Sequence, residues 1–450
     1  MGARDSAGRD EVESGGAAHD TQQRRDARML SEVQRDTFQY FVEQYNPANG
    51  LTADASQPGA PCSIAATGLA LTCYPIAVER SFISRTDAVR RVVTTLEFFW
   101  NSEQSDAADA TGYRGFYYHF LDMQTGRRVW HSELSTVDSA FLLAGALAAA
   151  AYFDRDSEDE LRLRTLAEQL YCRADFDWAR NGGATLTHGW RPESGFIQYR
   201  WEGYDEALLL YVLALGSPSH PIAPESYQAW LTTYDWRTIY GIEHVYAGPL
   251  FIHQLSHVWI DFRGIQDAYM RPRNLDYFEN SRRATQINQQ YGHQNPNQLR
   301  GYRGECWGIS ASDGPGPAVL KIDGVEREFF GYLARGVPFG PDDGTISPWA
   351  AITSLPFAPE IVLPTLHHFI DKVKLKRNSH YGFEASFNAT FPGTSNDPRG
   401  WVSPWHFGIN QGPIVLMIEN YRSELPWQIM RGSEHVVRGL RRCGFSGGWL

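Results

Sequence analysis

Three carboxylates fall between aromatic rings in Trp201-Glu202-Gly203-Tyr204-Asp205-Glu206, and the apolar run Ala207-Leu208-Leu209-Leu210 follows at once. Acids set against Trp and Tyr suit cleavage of a glycosidic bond. That chemistry needs one carboxylic acid to protonate the leaving oxygen and a second carboxylate to activate water or attack the sugar. The same residues also suit a plain helix start, where Asp205 and Glu206 would complement the helix dipole. A second carboxylate cluster lies at Glu133 and Asp138. Ser135-x-x-Asp138 fits a capping box, so Asp138 serves either its own helix or the mouth of a cleft, with Glu133 on the loop before it. Glu305, Asp313 and Asp343 are further acids in Gly-rich loops.

Aromatic residues make up 13% of the chain, with 14 Trp and 22 Tyr, which supplies stacking faces for a sugar, although such richness more often serves the core. The C–H faces of a pyranose are apolar, so Trp130, Trp201, Tyr204, Trp307, Trp349, Trp401 and Trp405, all beside polar motifs, are candidate sugar platforms, with burial in the core as the plain alternative. Glu202 is either a like-charged neighbour that raises the pKa of Glu206 or a solvated surface acid. Arg303 and Gln411 are candidate hydroxyl binders. His253 and His257 have i, i+4 spacing but no third ligand in the sequence, so a structural pair is expected, and neither a metal nor another cofactor.

The net charge of −11, with no basic block beyond Lys372-Val373-Lys374-Leu375-Lys376-Arg377, argues against nucleic acid and for a neutral partner such as an oligo- or polysaccharide. No run of about 18 apolar residues exists, so no membrane partner is expected. The five cysteines are scattered and lack CxxC spacing, which points to neither zinc nor a disulfide framework. Residues 1–28 are polar, without an apolar h-region, and are expected to form a disordered tail ahead of a single catalytic domain over 29–450. The absence of an export signal points to the cytoplasm, or to the periplasm if a leader has been removed.

The elements that must hold these groups are mostly helices. Periodicity predicts them at 35–45, 63–79, 84–100, 134–153 and 158–178, from about 207 to Gly216, and around 254–268, 274–290, 359–374 and 409–421. Strand pairs or ordered loops are expected at 112–128 and 184–200, and loop with short strand over 301–348. Helices in pairs, joined at every other connection by Gly/Pro/aromatic loops and without βαβ alternation, fit an all-α toroid whose rim loops carry the site.

Several ordered blocks go further. They are Ser132-Glu133-Leu134-Ser135-Thr136-Val137-Asp138-Ser139-Ala140, Trp201-Glu202-Gly203-Tyr204-Asp205-Glu206-Ala207, Trp307-Gly308-Ile309-Ser310-Ala311-Ser312-Asp313-Gly314-Pro315, Asp343-Gly344-Thr345-Ile346-Ser347-Pro348, and Gly408-Ile409-Asn410-Gln411-Gly412-Pro413 with Glu419-Asn420-Tyr421-Arg422. Through them the chain resembles the bacterial glycoamylase-like family of glycoside hydrolases, whose better understood members are endo-β-1,2-glucanases on an (α/α)6 barrel. The resemblance implies that fold, with hairpins and long loops on one rim, β-1,2-glucan as substrate, and Glu206 as general acid. It also implies an aspartate base in the last block, where this chain carries Asn410, an amide that orients a water or a hydroxyl but takes no proton. Glu305, Asp313 and Asp343 are the stand-ins the sequence offers, with Glu133 and Asp138 as the second cluster. A displaced base leaves three readings open: a glucanase, a retaining transglycosylase on linear or cyclic β-1,2-glucan, and a glucan-binding protein without catalysis. A monomer or weak homodimer is expected.

Overall fold

The computed structural model describes residues 7–376, 379–393 and 397–450, with side chains from residue 21 onward. Its helices run α1 Ala7–Glu43, α2 Ile64–Glu79, α3 Arg85–Asn101, α4 Thr136–Tyr152, α5 Glu158–Arg173, α6 Leu208–Gly216 and α7 Pro224–Leu231. After these come α8 Tyr277–Gln294, α9 Pro348–Thr353, α10 Pro359–His368, α11 Gly408–Arg422, α12 Leu425–Arg431 and α13 Glu434–Arg442. Ser63, Ser84, Ser135, Ser157 and Asp276 each open a helix by accepting a hydrogen bond from the amide three residues on, which satisfies one of the donors a helix start leaves unpaired.

The pairing of helices follows from where apolar side chains fall. In α2 and α4 nearly every residue is buried, so neither has a solvent face, whereas α3 and α5 bury one stripe each. Accordingly α4 packs on α2, α3 on α5, α6 on α13, and α11 closes against both α1 and α2, giving an (α/α)6 barrel. The α2–α4 contact is a backbone approach: a Cβ on Gly145 would lie 2.0 Å from the Gly68 carbonyl oxygen, and one on Gly68 would lie 2.6 Å from Leu142 Cα. Where α1, α2 and α11 meet, buried Glu419 accepts from Arg80 Nε at 2.9 Å and from Gln34 Nε2 at 2.9 Å.

Small antiparallel sheets decorate the barrel. The largest orders Gly112–Tyr113, Phe116–Tyr118, Leu134–Ser135, Gly189–Arg191 and Gly195–Phe196 side by side. It pairs Tyr118 with Leu134, and the His119 amide then donates to the Glu133 carbonyl at 2.9 Å.

Three expectations are corrected. The helix expected at 35–45 begins much earlier, at Ala7, so the anticipated tail over 1–28 is helical from residue 7 on, while residues 1–6 lie outside the described residues. Asp26 and Arg25 hold this helix to α10 and the turn after it, through His367 and Asp371. The helix expected at 254–268 is instead two 3₁₀ turns, Leu250–His253 and Leu255–Val258, broken at Gln254, whose φ of −120° is not helical. The short helices α7, α9 and α12 carry too little periodic signal for their length to have been expected, whereas α13, strongly amphipathic over nine residues, is an omission of the sequence reading. Among the described residues, no helix is long and apolar enough to cross a membrane.

Candidate active site

The N-terminal ends of α2, α4, α6 and α11 converge on one cavity of about 430 Å³. Ser63 caps the first, Asp138 lies in the first turn of the second, Glu206 stands just ahead of the third, and Asn410 lies in the first turn of the fourth. Asp54, His119, Tyr332 and Phe407 from loops and Phe120 from a short strand complete the wall, and Phe141, Phe251, Leu255 and Trp349 give it an apolar lining.

Glu206 is not a helix-dipole residue. The helix starts at Leu208 with no acid in its first turn, and Asp205 instead accepts from the Ala207 amide at 3.0 Å. This turn leaves the Glu206 side chain at the cavity wall. Burial pushes its carboxyl up to about 8, and the charges of Asp138 and Asp205 add to that against a smaller opposing pull from His119. The group is therefore neutral at pH 7 and able to donate a proton.

His119 organises the other acids. Its Nδ1 lies 3.0 Å from Glu133 Oε1 and its Nε2 3.7 Å from Asp138 Oδ2, while its ring stacks on Phe120 at 4.0 Å. Burial alone would lower the imidazole pKa, but Asp138, the hydrogen bond His119 donates to Glu133 and the charge of Asp54 outweigh it and raise it to about 9. The same hydrogen bond, against burial, holds Glu133 down at about 2. Asp138 also receives the Ser135 hydroxyl, while Ser135 caps α4 by accepting from the Asp138 amide at 3.2 Å. Asp54 is pushed up to about 6, first by burial and then by Asp138, against the pull of His119.

Two exposed aromatics flank the opening. Trp130 is 67% exposed, and its ring lies 5.1 Å from that of Phe120 in the wall. It projects because Trp130 and His131 both take left-handed backbone, φ 58° and 49°, at an estimated cost of about 1 kcal/mol or more each. Arg128 holds this turn in place, donating from Nε to the Ser132 carbonyl and lying 2.6 Å from Glu193. On the other side Tyr332 lies 6.4 Å from Phe407 and within the field of Asp54, Glu206 and Asp138.

The remaining residues singled out in the sequence lie elsewhere. Trp201 and Tyr204 are buried, the first stacked on His188 at 3.8 Å and the second on Tyr277 at 5.6 Å, so neither offers a face to a sugar. Trp307 is fully buried and bonds Thr365. Asp343 is sealed in an ion pair with Arg335, neither side chain being exposed, and Asp313 is engaged by the Ser403 hydroxyl at 2.9 Å. Glu202 bonds Thr185 on the surface. Glu305 and Arg303 are exposed beside the 301–306 turn, away from the cavity lining, and Arg303 borders a separate shallow groove with His368. Trp405 and Gln411 lie near the wall in sequence but outside the lining. His253 and His257 are buried and neutral, bonded to Ala247 and Ser281, and among the described residues no group of three or more His, Cys, Asp and Glu could hold a metal ion. Sequence reasoning missed Asp54, Tyr332 and Phe407. The one signal for Asp54 is an acid inside the otherwise apolar stretch Leu51-Thr52-Ala53-Asp54-Ala55; nothing local marks Tyr332.

With this geometry in hand, comparison with known proteins is informative. Residues 198–434 match the family model Glycoamylase, described as "Putative glucoamylase", and the chain belongs to that family. A Bacteroides uniformis crystal structure under the same description shares 31% identity, with TM-score 0.83 over 94% of this chain and 98% of that one. An endo-β-1,2-glucanase from Chitinophaga pinensis, solved with sophorotriose and glucose, shares 28% identity, with TM-score 0.82 over 94% of this chain and 99% of that one. A Parabacteroides distasonis exo β-1,2-glucooligosaccharide sophorohydrolase is 28% identical over 93% of this chain, which spans 58% of that relative's length.

Proposed function

We propose that the protein is a glycoside hydrolase that cleaves β-1,2-linked glucan with Glu206 as general acid and no metal. The observation that carries this reading is a neutral carboxyl, held up to about 8, at the wall of a cavity that also contains further acids and a lining of aromatic rings. A glucoamylase acts on α-linked starch, but the functionally named relatives act on β-1,2-glucans or their oligosaccharides, and that linkage is taken for the substrate here.

In this reading the pyranose units lie along the cavity against Phe120, Phe407 and Trp349, with Trp130 and Tyr332 stacking on the sugars at the opening. Asn410 orients a hydroxyl or the attacking water. Glu133 fixes the ring of His119, and His119 in turn holds Asp138, so these two act on the chemistry by position. The proton on Glu206 passes to the glycosidic oxygen as the bond to the anomeric carbon breaks.

The test is incubation with linear β-1,2-glucan, with products followed by chromatography and the first-formed anomer by NMR. Wild type is expected to release β-1,2-linked glucooligosaccharides. Glu206→Gln is expected to fold and to lose about 100-fold to 10,000-fold of kcat, the range for a general acid. Near-wild-type turnover in that variant would refute the assignment.

A further inference from the structure

Of the acids that line the cavity, Asp138 is already engaged by Ser135 and by His119. Asp54 and Glu206 are not: among the described residues, no donor is hydrogen-bonded to either carboxyl. Acid–base glycoside cleavage draws on a pair of carboxyl groups, and these two share one cavity. The Asp54 backbone is fixed on both sides. Its amide donates to the Pro61 carbonyl at 2.7 Å, and its carbonyl accepts from the Gly408 amide at 2.8 Å. Ala55 bridges to Phe407, and the Tyr40 hydroxyl donates to the Ala53 carbonyl at 2.8 Å. Gly408 stands two residues before Asn410, so Asp54 is stitched to the segment in which the expected base is missing.

Resting on the glucanase reading above, we propose that Asp54 is the general base, removing the proton from the attacking water in the role that Asn410 cannot fill. In the step, the water oxygen bonds to the anomeric carbon while the bond from that carbon to the glycosidic oxygen breaks. Asp54 accepts the water proton and Glu206 gives its own to the leaving oxygen, after which both reset by exchange with solvent. The titratable groups around Asp54 are His119 and, behind it, Glu133; Asp138 of α4; Tyr332; Tyr40 of α1; and Cys62, while Glu206 ahead of α6 shares the cavity with it. Of these, the charge of His119 favours ionised Asp54, whereas burial and Asp138 hold its pKa at about 6, close enough to neutrality for an effective base.

Asp54→Asn and Glu206→Gln are compared on β-1,2-glucan and on 2,4-dinitrophenyl β-sophoroside, whose leaving group departs without a proton. Both variants are expected to lose about 100-fold or more on the glucan. On the dinitrophenyl substrate Glu206→Gln is expected to regain most of its turnover and Asp54→Asn none, because a better leaving group does not deprotonate water. Asp54→Asn should also lose the acidic limb of the pH–rate profile while melting no earlier than wild type. Turnover on the glucan within tenfold of wild type, an unchanged acidic limb, or full recovery on the dinitrophenyl substrate would each overturn the role. If Asp54→Asn melts early, Asp54→Ala with added azide decides instead: glycosyl azide formation supports the role and its absence overturns it. A wild-type protein inert toward β-1,2-glucan would defeat the glucanase reading itself, and this inference with it.

Discussion

At the scale of the residue, the proposed mechanism depends on two carboxyls that burial raises to different extents. In that mechanism Glu206 at about 8 would supply a proton and Asp54 at about 6 would accept one, so kcat/KM should form a bell with limbs near those values and a maximum near pH 7. A profile flat from pH 5 to 9 would contradict both roles. The displacement also bears on stability. A carboxyl raised from 4.5 to about 8 by folding costs nothing below pH 4.5, where both states hold the proton, and costs progressively more up to pH 8, because only the unfolded chain ionises freely. Glu206→Gln, which cannot ionise, should therefore melt with wild type at pH 4 and about 1–4 °C above it at pH 8. His119 behaves in the same direction for the opposite reason. Its pKa rises on folding from 6.5 to about 9, so its contribution is complete below pH 6.5 and disappears as pH climbs through 9.

At the scale of the element, the acids are held by how the inner helices approach one another. Gly145 in α4 faces Gly68 in α2 with no room for a methyl group, so Gly145→Val should separate the two helices and destabilise the chain by about 1–3 kcal/mol or more, read as a lower urea midpoint. Activity should fall further than stability, since Ser63 and Asp138 sit at the ends of these two helices. Those helices were legible because their signal is local: an apolar stretch of helical length, opened by a serine that caps it, needs no tertiary context. The site was legible only where a motif coincided with such a helix start. Glu206, Asp138 and Asn410 all stand at one, and all line the cavity. Asp54 and Tyr332 stand on irregular loops that reach the cavity through contacts 350 or so residues apart in one case, and no spacing rule encodes such a contact. Trp201, Tyr204 and Trp307 show the converse, aromatic residues inside motifs that the fold uses as packing.

At the scale of the whole molecule, the chain carries a net charge of −11 while the proposed substrate carries none. An uncharged ligand is not steered by the field of the protein, so kcat/KM on β-1,2-glucan should change less than about twofold between 0.05 and 0.3 M NaCl, and a steep salt dependence would indicate a charged substrate instead. The closure of the barrel, where Arg80 just after α2 and Gln34 of α1 meet Glu419 of α11, has a consequence for synthesis. The cavity takes walls from residue 54 and from residue 410. At about 5–20 residues per second, roughly 20–70 s separate their emergence from the ribosome. During that interval α2 and α4 have been made and can pack on each other, but α11 has not, so the face of α2 that it covers stays open. Because Asn410 forms part of its wall, the site is one of the last features a growing chain acquires.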